Sequence, residues 1–214
     1  MLSAGVAAAF GALTFLVIAR LREEYLAIVT LSFAEALRVI AENAIPLTNG
    51  TDGISQIPRP VTGVSFSQFE LIYLGIMIVV VALVAFGLER LRKAPLGRVL
   101  RALREDPTVA EAAGKGIMRT QIQCFALGAG IMGLAGALYS HYISYVSPDI
   151  FQLQTLVYIF LAVVLGGKGN NKGALVGTLL VIVILEGTRF IADSMSILTA
   201  VQSGALRTIV IGML

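Results

Sequence analysis

The chain is poor in charge, in cysteine and in histidine. Only 14% of its 214 residues are Asp, Glu, Lys or Arg, while 57% are hydrophobic. Soluble domains carry about 25% charged and about 45–50% apolar residues. Too few polar groups are present to cover a globule in water, which excludes an ordinary soluble domain. The one cysteine, Cys124, sits inside an apolar run, with no partner for a disulfide and no second ligand for a metal. It reads as a small buried hydrophobe. A single histidine, His141, leaves no Cys/His cluster for zinc. His141 itself fits either a pH-sensitive group or an interfacial hydrogen-bonding side chain. A basic n-region and a small-residue cleavage site are both missing around Leu2–Ala19, so that run reads as a span rather than a signal peptide. No Ser/His/Asp arrangement and no intramembrane His-Glu motif points to an enzyme.

What is abundant is apolar sequence, with a mean hydropathy of +0.87. About 20 residues cross the hydrocarbon core of a bilayer. Spans are expected over 2–19, 25–45, 71–88, 120–140, 154–166 and 174–189, with the start of a last span at 207–214. The fold class is therefore an all-α polytopic membrane protein of about six membrane-spanning helices, one transmembrane domain over 1–214 with its last span truncated. The apolar run Thr208–Leu214 stops without flanking charge, and a piece of a longer membrane protein, or a short relative of one, is expected.

The charge that exists is concentrated. Residues 89–119 hold eight of the sixteen Lys and Arg (Arg90, Arg92, Lys93, Arg98, Arg101, Arg104, Lys115, Arg119) against four acids (Glu89, Glu105, Asp106, Glu111). Each central Arg costs at least about 2.5–3.5 kcal/mol in hydrocarbon, so this stretch is a loop, cytoplasmic by the positive-inside rule. With that orientation Arg20, Arg22, Lys168 and Lys172 also fall inside, making twelve of sixteen basic residues. The net charge of +3 is thus topology and not nucleic-acid binding.

Three further patterns are candidates for function. Glu35, Arg38 and Glu42 recur at spacings of three and four within the second span, so one helix face holds them. Such a stripe turns toward other helices or a watery cavity, and either locks helix packing or borders a transport pathway. Ala129, Gly133 and Ala137, with Gly130 and Gly136 nearby, form a stripe that lets helix backbones approach closely. The run Gly166–Gly173 resembles a phosphate loop, but no Gly-Lys pair is followed by Ser or Thr as G-x-x-x-x-G-K-[ST] requires. A tight reversal at the membrane face fits better. On the outer side, Pro46–Phe66 is punctuated by Asn-Gly, Asp-Gly, Pro-Arg-Pro and Thr-Gly, which mark turns. Asn49-Gly50-Thr51 there is a weak glycosylation match. His141–Leu153 reads as a second, shorter outer loop, and Ile191–Ala205 as a mixed segment along the outer surface.

Three stretches together resemble the LivM-type permease subunits of branched-chain amino acid ABC importers. One is Tyr25-Leu26-Ala27-Ile28-Val29-Thr30-Leu31 with Glu35 and Arg38, continued by Asn49-Gly50-Thr51-Asp52-Gly53-Ile54. The next is Pro95-Leu96-Gly97-Arg98 through Ala102-Leu103-Arg104-Glu105-Asp106 to Ala112 and Gly114, and on into Phe125-Ala126-Leu127-Gly128-Ala129. The last is Val164-Leu165-Gly166-Gly167 with Gly169, Gly173, Glu186, Arg189 and Ser203-Gly204-Ala205-Leu206-Arg207. The chain departs from the family pattern at Glu23, where a Gly is usual, and at Asn170 and Ala174 after the glycines.

The resemblance implies a transport subunit that does no chemistry and binds no cofactor itself. A second, LivH-like permease would share the pathway. Two ATP-binding subunits would carry ATP and Mg, and an external binding protein would deliver leucine, isoleucine or valine. The implied location is a bacterial or archaeal inner membrane, among lipid and without nucleic acid. The cytoplasmic loop 89–119 would be the coupling loop, and its core Glu111, Ala112, Ala113, Gly114, Lys115 and Gly116 resembles the segment through which importer permeases couple to their ATPases. A sister importer for urea, short amides or another amino acid, and a non-ABC channel or scaffold, are the other readings.

Overall fold

The computed structural model describes residues 2–19, 23–61, 63, 65–105, 114, 116–167 and 169–194. They fall into two compact units, Met1–Ile150 and Phe151–Leu214. The first unit contains α1 (Leu2–Ile18), α2 (Glu23–Asn43), α3 (Ile45–Thr48), β1 (Ile54–Ser55), α4 (Phe66–Lys93), α5 (Pro95–Glu105), α6 (Ile117–Ile143) and β2 (Tyr145–Val146). The second contains α7 (Leu153–Gly166) and α8 (Asn171–Ser194).

The first unit is held together by α1 against α6, through small residues. Gly133 faces Ala7 and Ser3, Gly130 faces Ala4 and Ala8, and Gly11 faces Ala129. A Cβ on Gly133 would overlap that of Ala7, and one on Gly130 would lie 3.3 Å from the Ala4 carbonyl oxygen. Beyond the glycines Phe15 meets Phe125 at 5.5 Å between ring centroids. Residue numbers rise along α1 as they fall along α6, so the helices are antiparallel. The end of α1 that leads toward Arg20 therefore lies beside the end of α6 that follows the basic loop.

α4 joins α6 at the opposite end. Phe69 and Tyr73 are buried, 3% and 2% exposed, and cluster with Tyr142 at centroid distances of 6.4 and 5.3 Å. The Tyr73 hydroxyl donates to the Leu138 carbonyl, which satisfies the one polar atom that burying a tyrosine leaves over.

Several elements run past the expected spans. α4 begins at Phe66, where the Ser65 N–H donates to Gln68 Oε1 (3.3 Å), and continues to Lys93, ahead of Pro95. α6 continues to Ile143, so His141 lies in its last turn and not in a loop. Pro46 sits in the first turn of α3, where its missing N–H costs nothing, so a helical turn opens the punctuated stretch. α8 runs on to Ser194, and the rest of the mixed segment lies outside the described residues.

In the second unit α7 and α8 cross on glycine. A Cβ on Gly166 or Gly173 would overlap the other's carbonyl oxygen, and one on Gly177 that of Ala162. Ala162, Val181 and Leu185 form the core beside them, with Tyr158 and Leu161 packed on it. The reversal uses Gly167 and Gly169 at φ 86° and 87°, and Asn170 Oδ1 accepts the Lys172 N–H (3.1 Å) as α8 starts. This is the backbone reversal that the glycine run suggested.

Large apolar side chains otherwise stay uncovered. Leu83 is 64% exposed, Phe86 60%, Met132 68% and Leu179 63%, far more apolar surface than a chain surrounded by water leaves open. Helices Phe66–Lys93 and Ile117–Ile143 are long and apolar enough to cross a membrane, and Leu2–Ile18 and Leu153–Gly166 are shorter apolar helices.

Candidate functional site

Three polar features stand out on this apolar scaffold. The first is the stripe on α2, where Arg38 sits between two carboxylates. Its Nε donates to Glu35 Oε1 (3.0 Å) and Oε2 (3.1 Å), its Nη2 to Glu35 Oε1 (2.6 Å), and its Nη1 to Glu42 Oε1. The fork geometry of guanidinium suits this double engagement. Arg38 and Glu42 are about four-fifths covered, while Glu35 stays 51% exposed. Asp149, in the turn after β2, is near enough to act on Arg38 electrostatically. Two acids to one base leave the stripe with an excess negative charge, on a helix that also exposes Val29, Val39 and Ile40.

The second feature is a clasp between the connector from α3 to α4 and the C-terminal end of α6. β1 pairs antiparallel with β2, Ile54 opposite Val146 and Ser55 opposite Tyr145. The Ile57 N–H donates to the Ser144 carbonyl (3.3 Å). Arg59 Nε donates to Ser144 Oγ (3.3 Å), and its guanidinium lies 4.8 Å from the Phe69 ring centroid. His141 Nδ1 lies 2.9 Å from the Pro58 carbonyl oxygen, which can only accept, so Nδ1 carries a proton. The Tyr145 hydroxyl donates to the Asp52 carbonyl (3.2 Å). Gly53 makes the close approach possible: its φ is 67° and a Cβ there would overlap the Val146 carbonyl oxygen. Asn49, the sequon residue, turns its Nδ2 to the Gly53 carbonyl (3.2 Å).

The third feature is the basic elbow between α4 and α5. Glu89 accepts from Arg92 Nε (2.9 Å) and Nη2 (2.8 Å) and pairs with Lys93 Nζ at 3.3 Å. Hydrogen bonding from Arg92 is the largest cause holding the Glu89 carboxyl down at about 2, with Lys93 adding to it. Gly97 lets α5 fold back closely, since a Cβ there would overlap the Arg92 carbonyl oxygen. Farther along, Gly114 has φ 73° with open space around it, and Gly116 immediately precedes α6. Glu111, Ala112, Ala113 and Lys115 lie outside the described residues.

Of the remaining sequence candidates, Ala129 and Gly133 face α1, and Gly130 joins them there. Ala137 is half-buried, and its carbonyl accepts the Ser140 hydroxyl (2.9 Å). Among the described residues no group of three or more His, Cys, Asp or Glu could hold a metal ion.

A model of the family described as "Branched-chain amino acid transport system / permease component" matches residues 1–214. The chain belongs to this permease family. It is similar to a probable branched-chain amino acid transport permease protein LivM of Methanocaldococcus jannaschii, 37% identical over 175 residues that cover 81% of this chain and 50% of that protein. The high-affinity branched-chain amino acid transport system permease protein LivM of Escherichia coli is 34% identical over 206 residues, 85% of this chain and 48% of its own. A shorter match, 32% identical over 90 residues, reaches the LivH permease of Salmonella typhimurium, with 42% of this chain and 29% of LivH. No solved structure matches. The permease chain spans about half the length of the LivM relatives it matches. The family is one of transport permeases, not enzymes.

The clasp is the part of this permease that sequence patterns missed. Its signals were present but local: Asn49 and Gly53 as turn formers, and Ser144 in the left-handed region at φ 60°. Nothing local joins Ile54 to Val146, ninety-two positions apart.

Proposed function

We propose that this chain is part of a permease subunit of an ABC importer that moves branched-chain amino acids inward by ATP-driven alternating access. The observation that carries the reading is the family match along the whole chain. The uncovered apolar helices support it. In this reading about six helices cross an inner membrane in several passes, and the basic elbow faces the cytoplasm. A LivH-like permease completes the pathway, two ATPase subunits bind ATP and Mg, and an external protein delivers the solute.

Glu35, Arg38 and Glu42 border the pathway. A half-exposed carboxylate on an apolar helix must meet water or another subunit. Residues Glu111–Gly116 form the coupling segment, and Gly114 supplies its reversal.

The full-length permease, reconstituted with its second permease, ATPase subunits and binding protein, is expected to take up leucine only when ATP is supplied inside. Uptake of urea or an amide instead of leucine would move the solute assignment to a sister importer. ATP-independent leakage would reject the importer reading.

Gly114 separates coupling from topology. Alanine there strains a left-handed backbone by about 1–2 kcal/mol, and proline cannot adopt a positive φ at all. Gly114→Pro is expected to leave the complex assembled and hydrolysing ATP while most uptake is lost, with Gly114→Ala in between. Wild-type uptake by the proline variant would remove the coupling role.

A further inference from the structure

We propose that α5 is a binding site for anionic lipid: it lies in the headgroup layer of the cytoplasmic leaflet and holds lipid phosphates with Arg98, Arg101 and Arg104. The proposal rests on the cytoplasmic reading of residues 89–119.

The depth of α5 follows from α4. Exposed apolar side chains continue along α4 through Leu83 and Phe86, and the first charges after them are Glu89 and Arg90. The Arg90 guanidinium lies back over the Phe86 ring at 5.1 Å from its centroid, an apolar stem and charged head spanning the hydrocarbon boundary. The chain turns one helical turn later, at Ala94. α5 therefore starts at the level where lipid phosphates lie.

The helix has the two faces that such a position requires. Leu96, Val99, Leu100 and Leu103 recur at spacings of three, one and three and are half-buried, whereas Arg98, Arg101 and Arg104 are exposed. An apolar stripe opposed by a basic face is the pattern of a helix lying in the membrane plane. Charge complementarity selects the occupant. Residues 89–105 carry six basic side chains (Arg90, Arg92, Lys93, Arg98, Arg101, Arg104) and two acids (Glu89, Glu105). Glu89 is taken by Arg92 and Lys93. Among the described residues no carboxylate pairs with Arg98, Arg101 or Arg104, since the ion pairs there join Arg38, Arg92 and Lys93 to other acids. Guanidinium matches phosphate oxygens in bidentate fashion, and an anionic leaflet attracts basic side chains within a Debye length.

The test uses the full-length permease in nanodiscs of phosphatidylcholine with increasing phosphatidylglycerol. Spin-labelled lipids report the association constant of each lipid at the protein surface. A fluorophore on Ala102→Cys, in a permease whose Cys124 and any other cysteines are replaced by Ser, reports depth through quenching by brominated lipid. The wild type is expected to prefer phosphatidylglycerol, with strong quenching at position 102. The triple variant Arg98→Gln, Arg101→Gln, Arg104→Gln is expected to lose about fivefold or more of that preference, while three Arg→Lys changes keep most of it.

Equal preference in the wild type and the Gln variant, or absent quenching, would overturn the proposal. So would unchanged lipid preference with loss of co-purifying ATPase subunits, which would assign the arginine row to a protein partner. Should the Gln variant fail to fold, the wild-type titration decides: no phosphatidylglycerol preference overturns the site. Loss of leucine uptake with lipid preference intact, by contrast, would count against the transport reading alone.

Discussion

Gly177→Val in the full-length permease is expected to separate α7 from α8 and to expose the turn between them to protease. At this position a Cβ would overlap the Ala162 carbonyl oxygen and come within 2.7 Å of the Gly166 nitrogen. Both obstacles are backbone, so no rotamer change relieves them. Overpacking of this kind costs about 1–3 kcal/mol when side chains can adjust, and the upper end applies here. The unit has little to offset it, because its core is Ala162, Val181 and Leu185 beside the crossing. Gly187→Val on the same helix is the matched control, since a Cβ there meets nothing within 4 Å. Thermal unfolding and limited proteolysis of the two variants make the comparison. Equal stability would show that the helices do not cross where the glycines permit.

Arg38→Gln is expected to lower assembled permease sharply, and far more than Glu35→Gln. Arginine bonds both carboxylates at once, so its loss leaves two like charges on one face of an apolar helix. Removing one partner of a covered ion pair is worse than removing the whole group. The neutral triple variant Glu35→Gln, Arg38→Gln, Glu42→Gln should therefore regain assembly. Its transport is the informative readout. Assembly without leucine uptake is expected if the stripe borders the pathway. Uptake returning together with assembly would reduce the stripe to helix packing.

How much of this was legible in the sequence differs from element to element. Hydropathy located apolar stretches that are helical, such as 71–88 within α4, but helices end where hydrogen bonding ends. α4 runs from Phe66 to Lys93 because Ser65 and Gln68 cap its start and Pro95 follows its finish. The small-residue stripe on α6 was legible because glycine and alanine at spacings of three and four leave few other uses. Its partner was not: α1 offers Gly11, Ala4, Ala7 and Ala8, a common composition that names no mate. The charged stripe on α2 was readable as one face, yet that Arg38 serves both acids depends on rotamers. The short helix that Pro46 opens was not legible, because proline both ends helices and opens them and only the backbone around it tells which.

The glycine contacts between α1 and α6 bear on how a thrust would travel. Sliding α1 by one turn would carry Ala7 away from Gly133 and would drive Phe15 past its seat beside Phe125. The ring contact of Phe15 on Phe125 opposes sliding more than the small residues do, so the two helices are expected to shift together. If the proposed coupling segment pushes on α6 just after Gly116, the first helix is expected to move along with it, and a double cysteine staple across these contacts should leave transport intact.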